Sequence, residues 1–388
     1  MDTIEELLSR SVEEIIDRED LTKALRSKKK LRVKLGIDPT SPNIHIGRAG
    51  ALWLLRAFQD LGHTVVFIVG DFTALIGDTS DKETERPMMT EAQVKKNIKT
   101  YFQQAAKIID PKKAEMHYNS KWLKKLGFKE IGELADLFGL HEMESRENIA
   151  LRLKAGRRVS VRELLYPIMQ GYDSVAVKAD VEIGGTDQKF NLLAGRVIQK
   201  HYGQKPQNVI TRTLMEGTDG RKMSSSWGNV IKITDEPNDM FGKVMSLPDS
   251  LIEKYFILAT RVPQEEIKNI ISAHSNPRDQ KLRLALEITK LYHGEKKSQA
   301  AMQSFISQFT NKQLPTNIGI KKIPAGTYGA AELAVISGLA ASKSEARRLL
   351  EQHGIKIDQK VAGTELVILD GKKEILLQVG KRKFIRLK

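Results

Sequence analysis

The chain has 388 residues, of which 40% are hydrophobic and 29% charged, which predicts a folded protein of roughly two or three domains. It has no cysteine, which excludes disulfides, thiolate zinc sites and cysteine nucleophiles, and no apolar run approaches the roughly 18 residues of a membrane span. The acidic N-terminus argues against a targeting signal, so we expect a cytoplasmic protein that contacts no membrane. The net charge of +15 favours a polyanionic partner.

The first part of the chain alternates strand and helix patterns. Apolar runs at Leu31–Ile37 and Thr64–Val69 predict strands, and the second run is apolar enough for a parallel strand covered on both faces. A helix is predicted between them at 48–62, and a further strand is predicted at Ala114–Tyr118. This order favours an open parallel sheet that binds ligands at the carboxyl ends of its strands.

The rest of the chain is predominantly helical before a compact tail. Residues 87–160 read as a helical insertion, in which Thr90–Gln93 has the pattern of a capping box that opens a helix to about Asp110. Helical patterns follow Ser226, and the segment 311–319 reads as a linker. The tail combines a capped helix with short alternating strands, and from Ala330 onward it has 12 Lys and Arg against 7 Asp and Glu.

Two short motifs point to a triphosphate site. His45-Ile-Gly-Arg48 lies between a predicted strand and a helix, where free backbone N–H groups and the helix dipole attract an anion. The small residue Gly47 allows a purine and its ribose to approach the backbone. Lys222-Met-Ser-Ser-Ser226, in a polar loop, adds a cation and three hydroxyls. Together the motifs predict an ATP site.

The motifs resemble the HIGH and KMSKS signatures of class I aminoacyl-tRNA synthetases, written here HIGR and KMSSS. Between them, Tyr166, Gln170 and Asp173 follow a capping-box pattern at Ser160 and share one face of a predicted helix, which Pro167 is expected to kink. This arrangement resembles the tyrosyl-tRNA synthetases. The KLGIDPT stretch 34–40 is similar to a bacterial branch of that family, and the tail resembles an S4 RNA-binding module.

The resemblance implies the site residues. Transition-state contacts are expected from Thr40, His45, Lys82, Arg86, Lys222 and Ser224. ATP contacts are expected from Gly36, Asp38, His45, Gly47, Arg48, Gly185, Asp187, Lys222 and Met223. Tyrosine contacts are expected from Asp78, Tyr166, Gln170, Asp173 and Gln188. In the tail, tRNA contacts are expected from Lys343, Arg347, Arg348, Lys381, Arg382 and Lys383.

The resemblance also implies the fold, the organisation and the partners. The fold class is α/β, with a Rossmann-type catalytic domain at 1–229 that contains a helical dimerisation insertion at about 87–160. An α-helical anticodon-recognition domain is expected at 230–315 and an S4-like α+β domain at 329–388. The expected reaction joins tyrosine to its tRNA with ATP as substrate and Mg²⁺ carried by ATP, in a homodimer without a metal site in the protein.

Two positions depart from the family pattern, and two other functions stay open at this point. Arg48 stands where the family usually has histidine, so an altered ATP contact is expected. Lys34 stands where many members have tyrosine; it is expected to point to solvent, and no role is assigned to it. The alternatives are the sister synthetase for tryptophan and an RNA-binding or splicing protein on an inactive synthetase scaffold.

Overall fold

A computed structural model describes residues 3–78, 88–225, 227–273, 276–310, 318–363, 366–370, 374–380 and 383–388. The chain forms two compact units. The first comprises Met1–Asp235 and Ser246–Tyr292, and the second comprises Glu236–Met245 and His293–Lys388. The division of the chain into three domains stays a prediction.

A six-stranded sheet forms the centre of the first unit. Its strands are β1 (Val12–Ile16), β2 (Arg32–Ile37), β3 (Thr64–Val69), β4 (Ala114–Tyr118), β5 (Val181–Gly185) and β6 (Asn208–Arg212). Their order is β1-β6-β5-β2-β3-β4, with β1 antiparallel to β6 and all other pairs parallel. Residues 65–69 of β3 are all buried, as expected for a strand covered on both faces.

The helices of the described residues are numbered along the whole chain. They are α1 (Thr3–Ser9), α2 (Arg18–Arg26), α3 (Ile46–Asp60), α4 (Thr73–Ile76), α5 (Glu91–Ile98), α6 (Tyr101–Ala105), α7 (Ser120–Leu123), α8 (Phe128–Ala135), α9 (Leu140–Glu144), α10 (Glu147–Lys154), α11 (Val161–Val177), α12 (Lys189–His201), α13 (Pro237–Met245), α14 (Ile252–Ala259), α15 (Gln264–Ala273), α16 (Pro277–His293), α17 (Glu295–Thr310), α18 (Ala330–Ile336) and α19 (Lys343–Glu351). None of them is both long and apolar enough to cross a bilayer.

Helix α3 begins two residues earlier than predicted because His45 caps it. The imidazole Nδ1 of His45 accepts the N–H of Arg48 at 3.4 Å, which satisfies one free amide of the first turn. His45 therefore fixes the start of α3.

The predicted helix from Thr90 to about Asp110 is interrupted. Its capping box is confirmed, since Thr90 and Gln93 exchange hydrogen bonds between side chain and backbone. The helix ends at Ile98, and α6 starts at Tyr101. The helix is broken here because residues of α6 contact the loop before α3. The Tyr101 hydroxyl donates to the Ser41 carbonyl at 2.8 Å, and the Gln104 side-chain oxygen accepts the Ile44 N–H at 2.8 Å.

Helix α11 is one continuous element that contains Pro167. The predicted capping box is confirmed, because Glu163 Oε1 accepts the N–H of Ser160 at 3.0 Å. Its other carboxylate oxygen pairs with the buried Arg152 of α10 at 2.5 Å. The start of α11 is thus fixed to the helical insertion.

The second unit contains a small α+β module. Its strands are β7 (Ile320–Lys321), β8 (Gly326–Gly329), β9 (Ile355–Ile357), β10 (Lys360–Val361), β11 (Leu366–Leu369), β12 (Ile375–Val379) and β13 (Lys383–Leu387). One sheet has the order β10-β9-β12-β13-β7, and β11 pairs with β8. Apolar residues of α18, α19 and both sheets, including Leu333, Ala346 and Leu377, form its core. The helix followed by short strands agrees with the pattern predicted for the tail.

Candidate active site

A cleft of about 1250 Å³ opens at the carboxyl ends of the parallel strands in the first unit. Every residue predicted to contact ATP, tyrosine or the transition state lines this cleft, apart from Lys82 and Arg86, which lie outside the described residues. Most of these residues come from β2, from the first turn of α3, from α11, from the segments at the ends of α4 and β5 and from the loop after β6. Residues that are far apart in sequence therefore share one concave site.

The two motifs lie against each other in the lining of the cleft. A Cβ atom on Gly47 would lie 3.3 Å from the Met223 sulfur, so glycine allows the closest approach of the two segments. The hydroxyls of Ser41 and Ser225 lie 3.3 Å apart. Ser226, the last residue of the second motif, is outside the described part of the chain. The two motifs thus form adjoining parts of the predicted ATP site.

Asn229 fixes the shape of the second motif. Its side-chain oxygen accepts the N–H of Ser224 at 2.8 Å, and its side-chain nitrogen donates to the Lys222 carbonyl at 3.1 Å. Lys222 extends from this loop to Asp187, where Nζ and Oδ2 lie 2.7 Å apart. The loop therefore presents Lys222 beside the predicted ribose-binding carboxylate.

Arg48 stabilises the loop between β2 and α3. Its guanidinium donates to the Asp38 carbonyl at 3.1 Å, to the Thr40 hydroxyl at 2.9 Å and to the Tyr101 hydroxyl at 3.2 Å. These bonds orient two predicted ATP-site residues. The longer side chain thus holds the loop while it also lines the cleft.

Asp38 lies half-buried at the junction of the two halves of the cleft. Its carboxylate accepts the hydroxyls of Tyr166 at 2.9 Å and Thr73 at 2.7 Å. Burial raises the pKa of Asp38 to about 6, although both hydrogen bonds oppose that rise. Asp38 and Tyr166 therefore connect the predicted ATP end to the predicted tyrosine end.

His45 is a neutral side chain in this site. Burial, assisted by the nearby charge of Arg48, lowers the pKa of His45 to about 3. Because that pKa lies far below physiological pH, the imidazole can donate or accept a hydrogen bond but does not supply a positive charge.

We expect His45→Ala to lower the rate of the expected ATP-dependent reaction about 10- to 100-fold, since one positioned hydrogen-bonding group is lost. The shape of the pH profile between about pH 5.5 and 8 should not change, because His45 stays deprotonated above its depressed pKa. Steady-state rates of both proteins across that range test this expectation. Loss of an acid limb in the variant alone would show that His45 titrates there.

Asp173 is held at the closed end of the cleft. The Trp122 indole donates to one carboxylate oxygen at 2.7 Å, and the Asn119 amide donates to the other at 3.2 Å. Burial raises the pKa of Asp173 to about 7, while the charge of Lys34 and both donors lower it. Trp122 and Asn119 were not predicted; Asn119 follows the predicted strand Ala114–Tyr118, which is the signal that could have located it.

The other predicted tyrosine contacts belong to a polar network. The Gln188 amide donates to the buried Asp78 carboxylate. The Gln170 amide donates to Glu182 at 3.1 Å, and its oxygen accepts from Asn191 at 3.1 Å. The side chains that face the cleft are therefore oriented before any ligand binds.

The expectation that Lys34 points to solvent is wrong. Lys34 is fully buried and forms an ion pair with Glu182 at 2.8 Å. Both strands that carry these charges are covered on both faces, so a central polar residue faces the interior whichever way it points.

Arg212 is a further cleft residue that sequence reasoning missed. It ends β6 and is buried, and burial lowers its pKa to about 10. A Cβ atom on Gly50 would lie 2.5 Å from the guanidinium, so glycine at that position makes room for Arg212. A lone arginine at the end of an apolar strand was the available signal.

The predicted tRNA-binding residues that can be located lie in the small α+β module. Lys343, Arg347 and Arg348 are exposed on α19, where Lys343 and Arg347 share one face and Arg348 is adjacent to it. Lys383 begins β13, and its Nζ donates to the Leu339 carbonyl at 2.9 Å. Lys381 and Arg382 lie outside the described residues.

Comparison with known proteins gives consistent matches. Residues 26–310 match the family described as tRNA synthetases class I (W and Y). The tyrosine–tRNA ligase of Thermotoga maritima is 46% identical, over 98% of this chain and 96% of that protein. The tyrosine–tRNA ligase of Carboxydothermus hydrogenoformans is 45% identical, over 98% and 97% of the two chains.

Two solved structures are also similar. A C-terminally truncated mitochondrial tyrosyl-tRNA synthetase of Coccidioides posadasii matches with a TM-score of 0.63 and 25% identity, over 78% of this chain and 90% of that one. The tyrosyl-tRNA synthetase of Archaeoglobus fulgidus, solved with L-tyrosine, matches in fold with a TM-score of 0.62 and 20% identity, over 78% and 100% of the chains.

Proposed function

This chain belongs to the tyrosine–tRNA ligases of the class I tRNA synthetases for tryptophan and tyrosine, and we propose how its cleft carries out their reaction. Tyrosine and ATP react to give tyrosyl-adenylate and pyrophosphate. The tyrosyl group then passes to the 3′-terminal ribose of its tRNA. The observation that best supports this function is the buried Asp173 carboxylate at the closed end of the cleft, held by two donors so that it can accept a phenolic hydroxyl.

Charging of a bacterial tRNA mixture with radiolabelled amino acids tests this function. We expect tyrosine to accumulate on tRNA in the presence of ATP, and tryptophan to remain at background. Tyrosine at background with tryptophan charged would identify the sister activity. Binding of tRNA without charging by either amino acid would indicate an inactive scaffold.

We propose that catalysis depends on positioning and electrostatics. The tyrosine carboxylate is itself the nucleophile, so adenylate formation requires no covalent intermediate with the protein. Thr40, His45, Lys222 and Ser224 line the part of the cleft where the phosphates would lie. Lys222 supplies positive charge there, and His45 supplies a neutral hydrogen bond. Lys82 and Arg86 are proposed to complete this set.

We propose that ATP binds along the lining formed by Gly47 and Met223 and that tyrosine is held by the network around α11. Asp187 would bind the ribose, while Gly36, Asp38, Arg48 and Gly185 complete the nucleotide contacts. Asp78, Tyr166, Gln170 and Gln188 would hold the substrate's ammonium group and backbone. The Asp38–Tyr166 hydrogen bond lies between the two ligands, where the new bond must form.

Mg²⁺ is proposed to arrive with ATP. Among the described residues, no group of three or more His, Cys, Asp or Glu side chains is arranged to hold a metal ion. The carboxylates that line the cleft are engaged by protein donors, as at Asp38, Asp173 and Asp187. The ion would therefore be coordinated mainly by the phosphates.

We propose that the chain forms a homodimer through its helical insertion. Large apolar side chains of this segment are exposed, with Phe128 93%, Leu140 63% and Leu151 57% accessible. Exposure of this extent in one segment favours a protein interface. In the same proposal, the protein acts in the cytoplasm, where translation uses charged tRNA.

We expect Phe128→Asp to convert the dimer to a monomer, because an anion would replace an apolar side chain at the interface. Light scattering of the parent should give twice the chain mass of 43.6 kDa, and the variant should give that mass once. Val361→Asp is the control, since this exposed apolar residue lies in the C-terminal sheet. A parent of single mass at about 50 µM would contradict the proposed dimer.

We propose that the basic face of α19 binds tRNA. We expect the K343A/R347A/R348A variant to lose about 10- to 100-fold in charging efficiency, because three phosphate contacts are removed. Tyrosine-dependent ATP–pyrophosphate exchange should not change. The salt dependence of tRNA binding should also weaken, by about two to three in the slope of log K against log salt.

The control for that variant is K28A/K29A/K30A, which removes the same charge from an exposed segment of the first unit. Equal losses in both variants would mean that net charge, and not the face of α19, attracts tRNA. Full charging by the K343A/R347A/R348A variant would exclude α19 from the interface.

A further inference from the structure

A buried ion pair lies directly behind the proposed tyrosine site. Lys34 of β2 and Glu182 of β5 are register partners in the parallel pairing of the two strands. Their side chains are 0% and 1% exposed, and Nζ lies 2.8 Å from Oε1. The flanking residues Val33, Leu35, Val181 and Ile183 are all buried and apolar, so each strand contains one charge at its centre.

The pair is bonded to the helix that carries the site. Lys34 Nζ donates to the Gln170 carbonyl at 2.9 Å and to the Ser174 hydroxyl at 2.8 Å. Glu182 accepts the Gln170 side-chain amide at 3.1 Å and the Ser174 hydroxyl at 3.0 Å. The main chain and the side chain of Gln170 are therefore both fixed by the pair, and Asp173 lies between the two contacted residues on α11.

Stability alone does not account for this arrangement. Two buried charges must be desolvated, and an apolar pair of similar volume is often equally stable or more stable. The three donors of the Lys34 ammonium go to Glu182, Gln170 and Ser174, and Glu182 has one further partner, Gln207. The bonds of the pair thus connect the sheet to the two turns of α11 that face the substrate.

We propose that Lys34 and Glu182 are positioning residues for tyrosine recognition: they orient the Gln170 amide and hold the α11 turn that presents Asp173. This inference rests on the proposed roles of Gln170 and Asp173 in binding tyrosine. It assigns a role to the lysine that stands where many relatives have a tyrosine.

The pair also sets the charge around Asp173. The groups that face this carboxylate are Trp122 and Asn119 from the segment after β4, Lys34 from β2, Glu182 from β5 and Tyr166 on its own helix. Lys34 lowers the pKa of Asp173 and Glu182 raises it, the Lys34 effect being the larger. Removal of either member should therefore move the titration of Asp173 in a predictable direction.

Two variants separate positioning from simple structural support. Lys34→Met alone would leave a buried Glu182 carboxylate without a cation and would destabilise the fold. The main test variant is therefore K34M/E182Q, which leaves neither charge, and Glu182→Gln is used beside it because the glutamine oxygen still accepts a hydrogen bond from Lys34. Glutamine keeps the shape of Glu182 and can still accept from Gln170. The readouts are KM for tyrosine and for ATP in pyrophosphate exchange, the pH profile of kcat/KM for tyrosine, and thermal unfolding.

We expect the double variant to raise KM for tyrosine about 10- to 100-fold, the loss expected when one or two buried hydrogen bonds are removed. KM for ATP should stay within about twofold. Because tyrosine binding requires the Asp173 carboxylate, activity falls as pH drops through its pKa. The acid limb of the pH profile should move to higher pH in K34M/E182Q, because the pKa of Asp173 rises when the larger effect of Lys34 is lost. It should move to lower pH in Glu182→Gln, because that pKa falls when the Glu182 charge is lost.

Lys29→Met is the matched control. The Lys29–Asp180 pair is more exposed than the Lys34–Glu182 pair, and it lies next to the amino ends of the same two strands, away from the cleft. The control variant should change neither KM nor the acid limb. If both test variants fold and keep the parent's KM for tyrosine and its acid limb, the positioning role is wrong. If the parent shows no exchange with tyrosine, the proposed function itself fails, which is a different result.

Discussion

We expect Asp173→Ala to reduce tyrosine-dependent ATP–pyrophosphate exchange by about 10²–10³-fold, the largest effect of any substitution at the closed end of the cleft. The substitution removes the proposed acceptor for the substrate hydroxyl and leaves the Trp122 and Asn119 donors buried without that partner. Each buried polar group left unpaired costs about 1–3 kcal/mol, and 1.4 kcal/mol corresponds to a factor of ten.

The same substitution should lower discrimination between tyrosine and phenylalanine by about 10²–10³-fold. A site that bonds a substrate hydroxyl rejects the analogue without it by about 10⁴–10⁵-fold, a rule for which this family is itself the standard example. Activity with phenylalanine should change little, because phenylalanine makes no bond to Asp173.

Asp187→Ala is the matched comparison, since Asp187 lines the nucleotide end of the same cleft. It should raise KM for ATP and leave KM for tyrosine nearly unchanged, whereas Asp173→Ala should do the reverse. If Asp173→Ala weakened both ligands equally, Asp173 would support the fold of the cleft and would not recognise the phenol.

We also expect Lys222→Ala to lower kcat for adenylate formation by about 10²–10³-fold, with much smaller changes in KM. In this structure the Lys222 ammonium pairs with Asp187 at 2.7 Å and remains 32% exposed, at the edge of the phosphate region. Charge that develops on the leaving pyrophosphate would attract the ammonium in the transition state, where preorganised charge contributes most.

The adjacent cation provides the control for Lys222. Arg221 pairs with Asp219 at 2.6 Å, and its guanidinium lies 4.9 Å from the centre of the Trp227 ring. Arg221→Ala should therefore change kcat by less than about threefold. A Lys222→Ala enzyme with normal kcat and a raised KM for ATP would show that Lys222 binds the ground state.

Patterns among residues that are close together in the sequence supported much of the sequence interpretation. The capping patterns at Thr90 and Ser160 were confirmed because both depend on residues only three positions apart. The apolar run Thr64–Val69 located β3 to the residue. The helical spacing of Tyr166, Gln170 and Asp173 put all three along the cleft, and Pro167 did not interrupt their helix.

Contacts between distant segments were not predictable in the same way. Lys34 and Glu182 are 148 positions apart, and only the pairing of β2 with β5 makes them partners. Two opposite charges, each at the centre of an apolar strand, were a usable signal once that pairing was known. Likewise, nothing near Tyr101 in sequence indicates that its hydroxyl binds the loop before α3, which is why the helix predicted there is interrupted.

The most direct test of the central claim is ATP–pyrophosphate exchange by the full-length protein with single amino acids. We predict rapid exchange with tyrosine, and rates with tryptophan and phenylalanine that do not rise above the rate without amino acid. Exchange stimulated by tryptophan and not by tyrosine would contradict the assignment of Asp173 to a phenol. Absence of exchange with every amino acid would contradict the assignment of the cleft as a synthetase site.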